Sequence, residues 1–194
     1  MNWFALRMLL GMACVTVAFA TCSKTAKASP SHVTKRGVEE REIARCIREA
    51  SQGRPWLEKT LWGLRDQEAG WIGAQVLNSN GSHDLGPLQI NSWWVPRLAA
   101  ILDRSQHHVR YWLTNDACFN AEAARWIFLS GLAATRSYWM AVGVYHSPTA
   151  WRQRRYAMSV AQHLQRRFGA LAFGTPVAGS TGYPNSSRSE GKGL

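Results

Sequence analysis

The feature that most constrains this chain is an apolar helical stripe that ends in a carboxylate. Four residues stand at i, i+4, i+7 and i+11, the spacing of one helix face: Leu57, Leu61, Leu64 and Glu68. Gly70 follows the stripe and is expected to close the helix. Such a face must pack against other elements, so the pattern predicts a helix that holds one acid at the edge of a hydrophobic core.

Helical spacing also dominates most of the remaining chain. It predicts a helix over residues 38–50 and, after the acid, helices near 93–102, 105–113, 117–131, 136–146 and 149–168. Residues 72–91 differ, because Asn80-Gly81 is a strong tight-turn signal and the residues that follow alternate loosely. They indicate a small β-hairpin or irregular β region. The predicted fold class is therefore mostly α (α+β), with one domain over residues 38–168.

The N-terminal residues have the composition of an export signal. Arg7 gives a positive start, and the apolar stretch that follows is too short to span a bilayer. Small-x-small cleavage sites end at Ala20 and Ala28. We predict a signal peptide over residues 1–28, with cleavage after Ala20 as the alternative, and thus a periplasmic or secreted protein.

Two low-complexity segments flank the predicted domain. Residues 29–37 are polar and are predicted to form a linker. Residues 169–194 are rich in Gly, Ser, Thr and Pro, which predicts a disordered tail. No stretch of the chain resembles a transmembrane helix, so none is expected in the mature form.

The chain is basic, and its charge bears on its partner. Its net charge of +11 falls to +8 when Arg7, Lys24 and Lys27 leave with the signal peptide. A basic protein is attracted to nucleic acid, anionic lipid or the anionic bacterial wall. Because export argues against nucleic acid as the normal partner, we expect no nucleic-acid function.

The cysteines fit an exported protein. Cleavage after Ala28 removes Cys14 and Cys22 and leaves Cys46 and Cys118. An even pair in an oxidising compartment predicts a disulfide. Two separate buried thiols are the alternative.

Glu68 is the candidate catalytic residue. A carboxyl group at the end of an apolar stripe is desolvated, which favours its neutral form. A glycosidic oxygen leaves readily only after it is protonated, and an acid that stays protonated near neutral pH can supply that proton. The alternative is a Glu at a helix end that points into solvent.

Other residues could complete a sugar site. Asp84 is the acid of the hairpin region, and it could act as a nucleophile or activate water, or merely cap a turn. Four tryptophans offer flat apolar faces to sugar rings, although each could equally be core: Trp71, Trp93, Trp94 and Trp139.

Other chemistries lack their motifs. The sequence has no His-x-x-x-His or Cys-x-x-Cys metal spacing, no Gly-x-Ser-x-Gly elbow and no phosphate-binding glycine loop. We therefore expect neither a metal nor a cofactor. The arginines of the segment 149–168 are interpreted as a solvated face, with a wall-binding or partner-binding face as the alternative.

Four segments of the sequence resemble the lytic transglycosylase family. The resemblance is greatest to the small specialised members that accompany type III and type IV secretion, conjugation and pilus systems. The resemblance covers roughly residues 42–162. It is carried by Asp66-Gln67-Glu68, by the block from Asn78 to Ser92 that contains Asn80-Gly81-Ser82 and Gly86-Pro87-Leu88-Gln89-Ile90-Asn91, by Asp116-Ala117-Cys118-Phe119-Asn120, and by Trp139 to His146.

The resemblance implies a lysozyme-like fold and a specific reaction. Such enzymes cut the β-1,4 bond between N-acetylmuramic acid and N-acetylglucosamine without water, and one Glu performs both proton transfers. Glu68 inherits the catalytic role, so Asp84 is not needed as a nucleophile. The implied substrate-binding residues are Gln89, Leu88 and Tyr145, with Asn91 and Ser82 in support. A cysteine pair shared by small members matches Cys46 and Cys118.

Three positions depart from the family pattern. Ala69 stands where Ser usually follows the catalytic Glu, Leu88 replaces the usual Met, and His146 replaces the usual Asn after Tyr. Leu and Met are similar in volume, so that exchange is expected to matter little. The other two leave rival readings open: a hydrolytic muramidase that uses Asp84, or a catalytically weak wall-binding factor. Nothing in the sequence requires more than a monomer.

Overall fold

The computed structural model describes residues 34–170, and these are mostly helical. That part of the chain contains seven α-helices and a small sheet, in the order α1 (Lys35–Ser51), α2 (Pro55–Glu68), β1 (Gln75–Leu77), β2 (His83–Leu85), β3 (Ile90–Asn91), a 3₁₀ turn (Ser92–Trp94), α3 (Val95–Leu102), α4 (Gln106–Asn115), α5 (Ala117–Thr135), α6 (Tyr138–His146) and α7 (Ala150–Phe168). The architecture is that of a lysozyme-like α+β fold, as expected.

The helices lie where the periodicity predicts them, but α1 begins earlier. It starts at Lys35, within the segment 29–37 that we predicted to be a linker. Thr34 explains the early start, because its hydroxyl accepts a hydrogen bond from the backbone N–H of Gly37 at 3.2 Å and so caps the helix. The predicted signal peptide over 1–28, and the predicted tail beyond residue 170, lie outside the described residues.

The core forms where α5 packs against α1 and α6, and α7 packs against α2 and α6. The apolar stripe of α2 is wholly inside it, since Leu57, Leu61 and Leu64 are each 0% exposed. Burying one such side chain stabilises the fold by roughly 1.5–3 kcal/mol. Gly63 allows α7 to approach α2, because a Cβ there would lie 2.8 Å from Leu164. This packing fixes α7 beside the end of α2.

The β region has one strand more than the predicted hairpin. The strands pair antiparallel in the order β1-β2-β3, and Asp84 faces Val76 on one side and Asn91 on the other. The fully buried Asn120 anchors the following loop to α5. Its amide donates to the carbonyls of Leu85 (2.9 Å) and Leu113 (2.8 Å), and its oxygen accepts from the N–H of Leu88 (2.9 Å).

The predicted disulfide is present. Cys46 of α1 is bonded to Cys118 of α5. A bridge that closes so long a loop stabilises the fold by about 4 kcal/mol in the chain-entropy model. Structural disulfides are typical of oxidising compartments. None of the helices within residues 34–170 has the length and apolar character needed to cross a membrane.

Candidate active site

Glu68 is the last residue of α2, at the point where the apolar stripe leaves the core. We expected Gly70 to close this helix, and that expectation was wrong. Ala69 closes it in a left-handed conformation, with φ of 50°, and its N–H donates to the Arg65 carbonyl. Gly70 is buried and has another role. A Cβ there would lie 2.3 Å from the carbonyl oxygen of Gly86 and 2.7 Å from the amide of Gln89.

Three consecutive side chains fasten the end of α2 to α7. Asp66 accepts two hydrogen bonds of 2.6 Å from the guanidinium of Arg167, and Gln67 accepts one from the hydroxyl of Ser159. The Glu68 carboxyl accepts a short hydrogen bond from the hydroxyl of Tyr156. These contacts fix the direction in which the Glu68 carboxyl points.

Burial sets the protonation state of Glu68. Desolvation raises the pKa of its carboxyl from 4.5 to about 7. The hydrogen bond from Tyr156 lowers this pKa, and the negative charge of Asp84 adds a further increase. The carboxyl is therefore present in both forms near neutral pH, which suits a group that must first give a proton and then take one.

Glu68 faces an open cleft of about 470 Å³. One side, here called the helix wall, consists of Glu68, Tyr145, His146 and Arg152. Another part of the lining, the hairpin wall, consists of Ser82, Asp84, Gln89 and Asn91. Almost all the residues predicted from the sequence to form the site thus line one cavity.

Leu88 is the exception among the substrate-binding residues that the family resemblance implies. It is fully buried in the core, and its side chain does not line the cleft. It meets the site through its backbone, because the carbonyl of Leu88 accepts a 3.0 Å hydrogen bond from the hydroxyl of Tyr145. Any effect of Leu88 on a sugar would therefore be indirect, through the position of Tyr145.

A network of short polar side chains builds the hairpin wall. The amide of Asn91 donates to the hydroxyl of Ser82 and to the carboxylate of Asp84, both at 2.9 Å. The Ser82 hydroxyl in turn donates to the side-chain oxygen of Asn80 at 2.8 Å. Gln89 has a positive φ of 48°, and its amide donates to the Gly86 carbonyl at 2.8 Å. Ser82 and Asn91 thus hold the strands and Asp84 in position.

Tyr156 is a site residue that our sequence analysis missed. Its ring stacks on that of His146, with centroids 4.5 Å apart and planes inclined by only 3°. Burial raises the pKa of Tyr156 well above its usual range, and the charge of Glu68 raises it further, so the phenol keeps its proton and donates it. The signal available was its place on an amphipathic helix, which does not separate it from core tyrosines.

The tryptophans divide into two groups. Trp93 and Trp94 line the cleft, and their rings stack with centroids 4.2 Å apart. Trp93 is 59% exposed and presents an apolar face at the rim. Trp71 and Trp139 do not line the cleft. The first pair can therefore contact a ligand in the cleft, and the second pair cannot.

The two unusual positions differ in their relation to the cleft. His146 lines it, and partial desolvation lowers the pKa of its imidazole, opposed by the charge of Asp84 and assisted by that of Arg152. Ala69 lies outside the cleft and faces a separate groove beside Trp71. A changed side chain at 146 can thus meet a ligand directly.

The described residues provide no suitable set of side-chain ligands for a metal ion. Within the described part of the chain, the group of side chains close enough to share one is Cys46, Glu49 and Cys118. Both sulfurs are bonded to each other in the disulfide, so this group has no thiolate to give.

Comparison with known proteins gives a distant relative. No family model matches the chain. Protein IpgF of Shigella flexneri is 26% identical to it over 113 residues, which cover 58% of this chain and 71% of IpgF. This match confirms, as distant homology, the resemblance drawn from the sequence motifs. The chain is thus a distant homologue of IpgF with a lysozyme-like fold, similar to the small specialised lytic transglycosylases.

Proposed function

We propose that this protein is a peptidoglycan lytic transglycosylase that uses Glu68 as both acid and base. The observation that carries the proposal is the carboxyl of Glu68, which has a pKa of about 7 and faces a cleft with polar and aromatic walls. An open cleft of this volume can accept sugar rings, and Trp93 gives a sugar ring an apolar surface.

The reaction would proceed in two proton transfers. Protonated Glu68 gives its proton to the glycosidic oxygen as the bond from that oxygen to C1 of N-acetylmuramic acid breaks. The resulting carboxylate then takes the proton of the 6-hydroxyl of the same sugar, whose oxygen bonds to C1 and closes a 1,6-anhydro ring. Glu68 ends protonated, and no water is consumed.

The chain's own residues would assist these steps in distinct ways. Tyr156 holds the carboxyl through its hydrogen bond and favours the charged form that follows the first transfer. Asp84 has the opposite effect on the pKa and favours the protonated form that starts the reaction. Desolvation is the main cause of the raised pKa, and these two opposing effects adjust it further, so Glu68 can give and take a proton near neutral pH.

The biological setting is part of the proposal. The homology to IpgF and the disulfide support an exported enzyme of the periplasm that opens the wall locally for an envelope-spanning secretion, conjugation or pilus system. Peptidoglycan glycan strands would be its substrate, and components of that apparatus its protein partners.

Digestion of purified peptidoglycan by the wild type and by Glu68→Gln, read by mass spectrometry, tests the proposal. We expect 1,6-anhydro products from the wild type and a rate at least roughly 10³-fold lower for the variant. Products with reducing ends instead of anhydro ends would contradict the proposal and indicate a hydrolytic muramidase. In such an enzyme Asp84, which lines the same cleft, could activate water. Binding without products would indicate a wall-binding factor.

A further inference from the structure

A second groove opens beside the proposed catalytic cleft. It has a volume of about 430 Å³, and it shares His146 and Arg152 with the cleft. Its remaining surface comes mainly from the first half of α7, through Trp151, Arg155 and Ser159, and from Gln67 near the end of α2. Because the two cavities share residues, a ligand in the cleft could extend a substituent into this groove.

The groove has the chemistry of an anion site. Two arginines line it and no carboxylate does. The guanidinium of Arg152 lies 5.3 Å from the ring of Trp151. Among the described residues, no hydrogen bond or ion pair engages the side chain of Arg155, which is exposed. Arg65 and Arg167 are paired with acids, whereas the guanidinium of Arg155 lines the groove with its donors free for a ligand.

The remaining residues suit a peptide. The side-chain oxygen of Gln67 accepts from Ser159, which leaves the two N–H groups of its amide as donors. Trp151 is 55% exposed and presents an apolar face. A short peptide that carries carboxylates could thus accept hydrogen bonds from the Gln67 amide and pack its side chains on Trp151. Its carboxylate could accept two parallel hydrogen bonds from an arginine guanidinium.

We propose that this groove binds the peptide stem of the substrate and that Arg155 recognises a stem carboxylate. The inference rests on the proposed function, since N-acetylmuramic acid carries its stem on the sugar ring next to the bond that Glu68 would cut. The protein would then prefer glycan with anionic stems over bare glycan, and Arg155 would determine that specificity without taking part in the chemistry.

The first experiment compares two substrates: glycan strands with intact stems and strands from which an amidase has removed them. The measured quantity is the ratio of initial rates on the two. We expect Arg155→Ala to lower this ratio about tenfold, and Arg155→Lys to restore it only in part because a lysine has no planar fork. Arg154→Ala is the matched control, since Arg154 is the exposed neighbour that does not line the groove, and it should leave the ratio unchanged. An unchanged ratio for Arg155→Ala, or an equal loss on both substrates, overturns the proposal.

A binding measurement separates this proposal from the proposed function. Titration calorimetry on the Glu68→Gln protein compares a muropeptide bearing a free tripeptide stem with the same compound whose stem carboxylates are converted to carboxamides. Amidation of the stem should weaken binding about tenfold in the Glu68→Gln protein that retains Arg155. It should have no effect on binding in the same protein with Arg155→Ala added. If the wild type cleaves neither glycan, the proposed function fails, but weaker binding of the amidated muropeptide still supports a stem-binding groove. Equal affinity for the two ligands overturns the stem site even if cleavage occurs.

Discussion

The helix wall and the hairpin wall line the same cleft, yet different forces hold them. Behind Glu68 the helix wall rests on fully buried leucines of α2 and on the packing of α7. The hairpin wall is held by hydrogen bonds among Ser82, Asp84 and Asn91. Apolar burial desolvates the acid and raises its pKa, whereas a polar network can present hydroxyl, amide and carboxylate groups to a sugar. The site therefore needs both kinds of wall.

The largest expected effect concerns the helix wall and the cost of its buried acid. The folded-state pKa of Glu68 is about 7, above its unfolded value of 4.5. The contribution of the protonated carboxyl to the free energy of unfolding is therefore complete below pH 4.5 and is lost as the pH rises through about 7. Above that pH the wild type should be less stable than Glu68→Gln, by on the order of 3 kcal/mol.

Urea unfolding of both proteins at pH 4, 6 and 8 measures this difference. The matched control is Glu58→Gln, in the first turn of the same helix and outside the cleft, which should follow the wild type at each pH. Parallel stability profiles for the wild type and Glu68→Gln would mean that burial does not shift the pKa of the acid.

Gly70→Ala should break the seam at which the two walls meet. Its Cβ would lie 2.3 Å from a backbone oxygen of Gly86, so one wall must move. We expect a loss of stability of about 2 kcal/mol and a rate on peptidoglycan at least tenfold lower. Gly37→Ala is the control, because its Cβ would meet Thr34 at 3.5 Å and nothing closer. Full activity in Gly70→Ala would show that the walls do not depend on this contact.

Tyr156→Phe sharpens the comparison by removing the hydrogen bond that α7, behind the helix wall, gives to the acid. The hydrogen bond lowers the pKa of Glu68, so its loss should shift the high-pH decline in activity to higher pH and reduce the rate about tenfold. Tyr145→Phe is a suitable comparison, because its hydroxyl donates to Leu88 and not to the acid. A pH profile that moves equally in both variants would contradict this role for Tyr156.

Asp84→Asn should have the smallest effect and tests how strongly the hairpin wall acts on the acid. Its charge is the third contribution to the raised pKa of Glu68, and an Asn can still accept the hydrogen bond from Asn91. We expect a slight shift of the high-pH limb to lower pH, a rate within about threefold of the wild type, and unchanged anhydro products. A loss of several hundredfold, with reducing ends in the wild-type digest, would instead identify Asp84 as a catalytic residue.

The sequence predicted the helices well because each has an apolar face with a period of about 3.6 residues. It placed Glu68, Gln89, Asn91 and Tyr145 near one another only through the family resemblance, since periodicity does not bring distant segments together. The third strand could not be foreseen, because Ile90 and Asn91 are too few to show an alternation. Tyr156 was missed for a related reason: it lies 88 residues from its partner Glu68, and only the packing of α7 on α2 joins them.

The disulfide between α1 and α5 has a consequence for proteolysis. The loop that it closes spans 72 residues and contains Glu68 and the entire hairpin wall. The turn at Asn80-Gly81 is exposed and offers a protease an accessible peptide bond. A single cut there leaves both halves of the domain covalently joined through Cys46 and Cys118. The fragments then separate only under reducing conditions, so the bridge keeps a nicked molecule in one piece.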